Sequence, residues 1–206
     1  MINKITIILR GYDLDSAKII ALEADRYDCF SLEIAANSTN AFEEIRMLCG
    51  LHLKNTKIGA GTILNMDLLH KAKEAGATFV LSPVCMTLNM IEFCKENNII
   101  CVPGAFSPTE IQSMKDFGAD IIKIFPASNF PMNYLKAVMA PLGHLPLMVV
   151  GGVNAGNVKD YFSAGADYAG VGSGICDLTE LQSGDRSSVV RNLKILSDIV
   201  KESAKQ

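Results

Sequence analysis

Lys123 is the residue whose setting in this sequence points most directly to chemistry. It lies in Asp120-Ile121-Ile122-Lys123-Ile124-Phe125-Pro126, an apolar and mostly β-branched run typical of a short strand that ends at a proline. Burial disfavours the charged form of a lysine and lowers its pKa, so a buried lysine becomes a usable amine nucleophile. The alternative is a lysine near a strand end that reaches solvent along its methylene stem.

Glu33 has a similar setting, because it lies between apolar neighbours in Leu32-Glu33-Ile34. A buried carboxylate normally needs a partner. A lysine and a glutamate that face each other would supply an amine nucleophile and a proton shuttle, which is the minimum for Schiff-base chemistry on a carbonyl substrate. Arg10 would then fix a substrate carboxylate through two parallel hydrogen bonds. The same lysine and glutamate could instead form a structural ion pair.

Two glycine-rich stretches late in the chain predict an anion site. Gly151-Gly152 and Gly172-Ser173-Gly174 each follow an apolar run. A bare backbone after such strands lets amide N–H groups point at a phosphate. Both stretches could instead be simple tight turns.

The elements that must position these residues form a repeated pattern of strand and helix. Eight strand candidates recur at intervals of roughly 20 to 27 residues, the length of one strand, loop, helix and loop. They are Lys4–Leu9, Cys29–Ile34, Thr56–Ala60, Thr78–Leu81, Ile99–Pro103, Asp120–Phe125, Leu147–Val150 and Asp167–Val171. We therefore predict a single-domain (β/α)₈ TIM barrel over residues 1–206, because a doubly wound sheet would usually need only five or six strands.

Glycines and one aspartate mark the predicted helix boundaries. Gly76 and Gly165 in two Ala-Gly-Ala stretches, and Gly118 in a close variant, should end helices in the left-handed conformation. Asp13 or Asp15 should cap the first helix. The tail after Ser183 predicts a final amphipathic helix that carries Val189, Leu193, Leu196 and Val200.

Composition restricts the partners of the chain. Of its 206 residues 49% are hydrophobic, and the net charge of −3 comes without any basic cluster, so we expect a small-molecule substrate and neither nucleic acid nor membrane. Six scattered cysteines without a CxxC pair favour reduced thiols in the cytoplasm, and three histidines without ligand spacing predict surface positions and no metal site.

The start of the first strand at residue 4 leaves no helix to cover the N-terminal mouth of the barrel. Side chains, the C-terminal helix or another subunit must close that face. The last possibility makes a homo-oligomer plausible.

Eight short motifs, one at the end of each predicted strand, resemble the class I aldolases that cleave 2-keto-3-deoxy-6-phosphogluconate (KDPG) or its galactonate epimer (KDPGal). These enzymes often accept 4-hydroxy-2-oxoglutarate (KHG) as well. The motifs are Ile7-Ile8-Leu9-Arg10, Leu32-Glu33-Ile34, Ile58-Gly59-Ala60-Gly61-Thr62, Leu81-Ser82-Pro83, Val102-Pro103-Gly104, Ile122-Lys123-Ile124-Phe125-Pro126, Gly151-Gly152-Val153 and Gly170-Val171-Gly172-Ser173.

The resemblance implies roles for individual residues, without a metal or cofactor. Lys123 would form the imine with the keto acid and Glu33 would move protons. The remaining residues would bind substrate, with Arg10 and Thr62 at the keto-acid carboxylate, Pro83 and Phe125 against the pyruvyl part, and Gly151, Gly152, Gly172 and Ser173 at the distal phosphate. It also implies a trimer.

Three features depart from the most familiar pattern of this family. Asn37 stands where many members carry an arginine, so a role of that arginine in binding is absent or passes to Arg10. Val150 stands where the gluconate-type enzymes tend to carry threonine, and a valine cannot hydrogen-bond a substrate hydroxyl, so Asn37 and Val150 are candidate specificity residues. Residues 127–132 lack the glycine usual in the family.

The sequence thus predicts an aldolase that splits a phosphorylated 2-keto-3-deoxy sugar acid into pyruvate and glyceraldehyde 3-phosphate, with KHG as a further candidate substrate. Two alternatives share the barrel: a phosphosugar isomerase or synthase, and a non-catalytic barrel that binds a sugar phosphate.

Overall fold

The strands form one parallel sheet that curves into a barrel. The computed structural model describes residues 1–172 and 174–203. Within these residues the strands run in the order β5-β4-β3-β2-β1-β9-β8-β7-β6, and every pair is parallel. Their bounds are β1 (Ile5–Leu9), β2 (Phe30–Ala35), β3 (Lys57–Gly61), β4 (Phe79–Leu81), β5 (Ile100–Val102), β6 (Gly104–Ala105), β7 (Ile122–Ile124), β8 (Leu147–Val150) and β9 (Tyr168–Val171).

The barrel closes at Pro103, which separates β5 from β6. β5 lies within the predicted fifth strand, Ile99–Pro103, and β6 continues it beyond the predicted end, because a proline lacks the N–H that a strand without interruption would need. β5 pairs with β4, while the N–H of Lys123 donates to the carbonyl of Pro103 at 2.8 Å and that of Phe125 to Ala105 at 3.3 Å. The predicted eight-stranded TIM barrel is therefore confirmed, with its fifth strand in two parts.

Helices cover the outside of the barrel between the strands. Their bounds are α1 (Leu14–Ala24), α2 (Ala41–Cys49), α3 (Met66–Glu74), α4 (Leu88–Glu96), α5 (Pro108–Phe117), α6 (Tyr134–Leu142), α7 (Val158–Ser163), α8 (Leu178–Gln182) and α9 (Ser187–Ser203), and a 3₁₀ turn spans Ala127–Asn129.

The predicted helix boundaries are confirmed at both ends. Asp13 caps α1, because its side chain accepts a hydrogen bond from the N–H of Ser16 at 2.8 Å. Gly76, Gly118 and Gly165 have φ values of 91°, 82° and 107°, in the left-handed region predicted for them. The final helix α9 buries the predicted Val189, Leu193 and Leu196, and Val200 packs partly buried beside them.

A separate cluster of apolar side chains fills the inside of the barrel and closes its N-terminal mouth. Ile2, Phe79 and Tyr168 belong to this cluster, and all three are nearly inaccessible. A Cβ built on Gly59 would stand 2.5 Å from the Phe79 ring, which is too close for any side chain. The strand β3 must therefore carry a glycine at this position. Side chains, rather than a helix, therefore form the floor of the barrel.

The remaining sequence expectations concern histidines, cysteines and membranes. The three histidines are exposed, as predicted, and the six cysteines are free. Across residues 1–172 and 174–203, no three His, Cys, Asp or Glu side chains converge as metal ligands. In the same ranges no helix combines the length and apolarity that crossing a membrane requires.

Candidate functional site

Lys123 points into the barrel from the middle of β7. Its neighbours Ile122 and Ile124 belong to the cluster under the outer helices, whereas Ile121 and Phe125 belong to the interior cluster. Because side chains alternate along a strand, Lys123 faces inward with the latter two. It is only 5% exposed, and this burial lowers the pKa of its amine. The interpretation as a solvent-reaching lysine is therefore wrong.

Glu33 enters the same interior from β2 and is 1% exposed. Burial raises the pKa of its carboxyl, while the positive charges of Lys123 and Arg10 act in the opposite direction. Its Oε2 accepts no hydrogen bond from any residue in the described ranges. A structural ion pair would satisfy that oxygen, so the geometry favours a carboxylate that is available to a substrate.

Gly61 gives the Glu33 carboxylate its position. A Cβ built on Gly61 would stand 1.5 Å from Oε1 and 2.2 Å from Cδ of Glu33. No side chain larger than a hydrogen fits there while the carboxylate keeps its place. The glycine at the end of β3 is therefore part of the site, although it has no side chain that could bind a substrate.

Arg10 extends from the end of β1 and is held by residues that follow β2 and β3. Its guanidinium donates to Oδ1 of Asn37 at 3.1 Å and to Oγ1 of Thr62 at 3.4 Å. Thr62 has a φ of 60°, which is a strained conformation for a β-branched residue. Asn37, which stands where many members of the resembled family carry an arginine, thus holds Arg10 in place.

These side chains surround one cavity of about 310 Å³ at the C-terminal mouth of the barrel. Ten residues predicted for the site line it: Arg10, Glu33, Thr62, Pro83, Lys123, Phe125, Val150, Gly151, Gly152 and Gly172. Asn37 reaches it through Arg10. Ser173 lies outside the described residues.

The glycines after β8 lie against the turn that follows β7. Gly151 and Gly152 have φ values of 96° and 76°. A Cβ on Gly152 would stand 2.7 Å from Cβ of Ser128, and the N–H of Ser128 donates to the carbonyl of Gly151 at 3.1 Å. Within the loop 127–132, which lacks the glycine usual in the family, residues 127–129 therefore form a 3₁₀ turn that packs on this backbone.

Some cavity residues were not predicted from the sequence. Ile8 and Asn154 line the cavity, together with Val153 and Gly170, whereas Gly174, which also lines it, belongs to a predicted anion stretch. Alternation along β1 would have found Ile8, since it lies two residues before Arg10. Asn154 carries a local signal as well, because its Oδ1 accepts from the N–H of Gly156 in a turn typical of asparagine.

A larger cavity of about 490 Å³ lies beside the site, between the loops that follow β1 and β2. In the described part of the chain its lining includes Asp13, Glu43 and Glu44 and no amine. Carbonyl chemistry needs a nucleophile, so the smaller cavity with Lys123 is the candidate active site.

The chain is similar to known aldolases in sequence and in fold. A family model for KDPG and KHG aldolases matches residues 5–192. The chain is 30% identical to a probable 2-dehydro-3-deoxy-6-phosphogalactonate aldolase of Rhizobium meliloti, over 82% of this chain and 79% of that protein. It is 29% identical to the 2-dehydro-3-deoxy-phosphogluconate aldolase of Haemophilus influenzae over the same shares. The solved native KDPGal structure superposes with a TM-score of 0.85, with 24% identity, over 98% of this chain and 96% of that chain.

Proposed function

Because the chain belongs to the KDPG and KHG aldolase family, we propose that it cleaves phosphorylated 2-keto-3-deoxy sugar acids through an imine on Lys123. The chain is a class I aldolase, and hence a carbon–carbon lyase. The phosphosugar isomerase or synthase and the non-catalytic barrel are not favoured. The observation that carries the mechanism is a lysine 5% exposed in one cavity with a glutamate 1% exposed.

Lys123 attacks the keto carbon as a neutral amine. Its burial lowers its pKa and so increases the neutral fraction. The addition gives a carbinolamine, whose hydroxyl takes a proton from Glu33 and leaves as water, so that a protonated imine remains. The imine nitrogen then accepts the electron pair of the bond that breaks.

Glu33 moves the protons of the cleavage step. It takes the proton of the hydroxyl on C4, the C3–C4 bond breaks, and the electron pair enters the imine to form an enamine while the aldehyde leaves. Glu33 returns the proton to C3 of the enamine, which restores a protonated imine. Water then adds to this imine, and Glu33 takes up the proton that is released as pyruvate and the free amine separate. Burial raises the pKa of Glu33, which suits a group that must hold a proton between the two steps.

The other residues of the cavity orient the substrate. Arg10 and Thr62 bind the keto-acid carboxylate, since they lie side by side at the rim of the cavity. Pro83 and Phe125 pack against the pyruvyl part, and the Lys123 amine lies 4.9 Å from the centre of the Phe125 ring.

The distal phosphate binds to the backbone after β8 and β9, at Gly151, Gly152, Gly172 and Ser173. Val150 lies beside this backbone in the same cavity and offers no hydroxyl to a substrate hydroxyl. Val150 and Asn37 therefore bear on the choice between the gluconate and galactonate epimers. Steady-state assays of KDPG, KDPGal and KHG side by side measure that choice.

Borohydride reduction in the presence of pyruvate tests the imine. Mass spectrometry should find the reduced adduct on Lys123, and Lys123→Met should abolish it. Lys136→Met is the matched control, because Lys136 is an exposed lysine on α6. An adduct on any other residue, or none, contradicts the Schiff-base mechanism.

Glu33→Gln tests the proton transfer. We expect turnover to fall by roughly 10²–10⁴-fold, the usual contribution of general acid–base catalysis. Glu43→Gln on α2 is the control, because Glu43 is exposed and lies outside the cavity. Near-normal turnover of Glu33→Gln would show that Glu33 is only a structural partner.

We also propose a cytoplasmic homotrimer. Leu64, Val84 and Phe106, which follow strands at the mouth, are 51%, 52% and 46% exposed, a surface that another subunit would cover. Six free thiols suit a reducing compartment. Sedimentation equilibrium should give three times the chain mass of 22.2 kDa, and a value near one chain mass would contradict the trimer.

A further inference from the structure

The loop that follows β9 is held from outside the barrel by α9. The side-chain amide of Asn192 donates to the carbonyl of Gly174 at 3.3 Å and to that of Ile175 at 3.1 Å. Gly174 lines the cavity together with Gly172, whereas Asn192 does not. The half-buried side chain of Asn192 therefore contacts the loop from the side away from the cavity, in which the candidate phosphate position lies.

The direction of these two carbonyls matters for an anion. A carbonyl oxygen carries partial negative charge and repels a phosphate, while an amide N–H attracts it. The N–H that shares a peptide unit with the Gly174 carbonyl is that of Ile175, and it donates to the Gly172 carbonyl, so what Asn192 sets at the cavity is the direction of the carbonyl oxygen. The two hydrogen bonds from Asn192 keep two carbonyl oxygens turned away from the cavity.

The rest of the loop is anchored at other points. The Ile175 N–H donates to the Gly172 carbonyl at 3.2 Å, and the Ile175 side chain is fully buried. Further on, the N–H of Asp177 donates to Oγ of Ser188 at 3.4 Å. These contacts fix the turn and its exit, but it is Asn192 that sets the carbonyl next to the cavity.

We propose that Asn192 is a positioning residue for phosphate recognition. It holds the carbonyl oxygens of Gly174 and Ile175 away from the position of the substrate phosphate, and it touches neither substrate nor Lys123. This inference rests on the proposed function, in which the distal phosphate binds beside Gly172 in the same cavity.

The experiment compares a phosphorylated ligand with one that has no phosphate. Asn192→Leu keeps the approximate shape of the side chain and removes both donors. We expect the KM for the better of KDPG and KDPGal to rise about 5- to 20-fold, as for the loss of two hydrogen bonds. The Ki of inorganic phosphate should rise in parallel. The rate of borohydride trapping with pyruvate, which has no phosphate, should stay within twofold of wild type.

Two further variants keep the test decisive. Asn192→Asp has the same shape but presents a carboxylate to the two carbonyls, so it should raise the KM further, and it provides a result if the leucine variant does not fold. Lys194→Met on the same helix is the control, because Lys194 is exposed and pairs with Asp198 away from the loop. It should leave every constant unchanged.

Each other outcome contradicts the inference. An unchanged KM in both Asn192 variants, or equal losses in KM and in pyruvate trapping, would show that Asn192 has only a structural role. If wild type trapped pyruvate but cleaved neither phosphorylated epimer, the proposed substrate class would fail and this inference with it. If wild type and both Asn192 variants cleave the phosphorylated substrate equally well, only the role of Asn192 is refuted and the proposed function stands.

Discussion

Gly61→Ala should remove most of the activity without adding or removing a polar group. The new Cβ would stand 1.5 Å from Oε1 of Glu33, and ordinary contact begins at 3.4 Å, so the carboxylate must retreat by about 2 Å. A misplacement of about 1 Å can cost 10²-fold in rate. We therefore expect turnover to fall by roughly 10²–10⁴-fold, about 3 to 5 kcal/mol of transition-state stabilisation.

The assay measures kcat with the phosphorylated substrate, the rate of pyruvate trapping and the thermal midpoint. Gly50→Ala is the matched control, because Gly50 has a helical φ of −67° at the end of α2 and does not line the cavity. It should retain full activity. If Gly61→Ala stayed folded and kept turnover within tenfold of wild type while Glu33→Gln did not, the argument that Gly61 places the carboxylate would be refuted.

Three further predictions concern charge, backbone strain and packing. Burial lowers the pKa of Lys123, so the rate of pyruvate trapping should rise with pH as the amine deprotonates, with a midpoint below the ordinary lysine value of about 10.4; a midpoint at or above that value contradicts the burial argument. Thr62→Asn should raise the thermal midpoint by roughly 2–4 °C, because asparagine tolerates a φ of 60° better than threonine does. The same variant should trap pyruvate more slowly at low pyruvate concentration, because the binding site for the carboxylate is weakened. An unchanged midpoint would contradict the strain at Thr62. Gly59→Ala should lower the free energy of unfolding by about 1–3 kcal/mol in urea titrations, because the new methyl overlaps the Phe79 ring, and an unchanged value would mean that the ring moves aside.

Much of the fold and of the site could be predicted because both follow from local patterns. Apolar runs at a regular spacing predict the strands, and glycines such as Gly76 and Gly165, which adopt a positive φ, mark the helix ends. In a barrel of parallel strands all C-terminal ends meet at one mouth, so residues as distant in sequence as Glu33 and Lys123 are predicted to meet.

The remainder depends on contacts between segments that no local pattern specifies. The hydrogen bond from Arg10 to Asn37 joins two loops 27 residues apart, and its existence depends on the register of β1 on β2. The contact of Asn192 with Gly174 depends on how α9 packs against the barrel. Pro103 was visible in the sequence, but whether it ends the strand or only interrupts it is decided by the pairing with β7.

The apolar floor formed by Ile2, Phe79 and Tyr168 has a consequence for the order of kinetic events. A barrel closed below has a single route for every molecule that enters or leaves. The proposed imine holds pyruvate at Lys123 within the barrel, while the phosphate end lies at the rim. The aldehyde must therefore depart first and pyruvate second, and in the synthetic direction pyruvate must bind before the aldehyde.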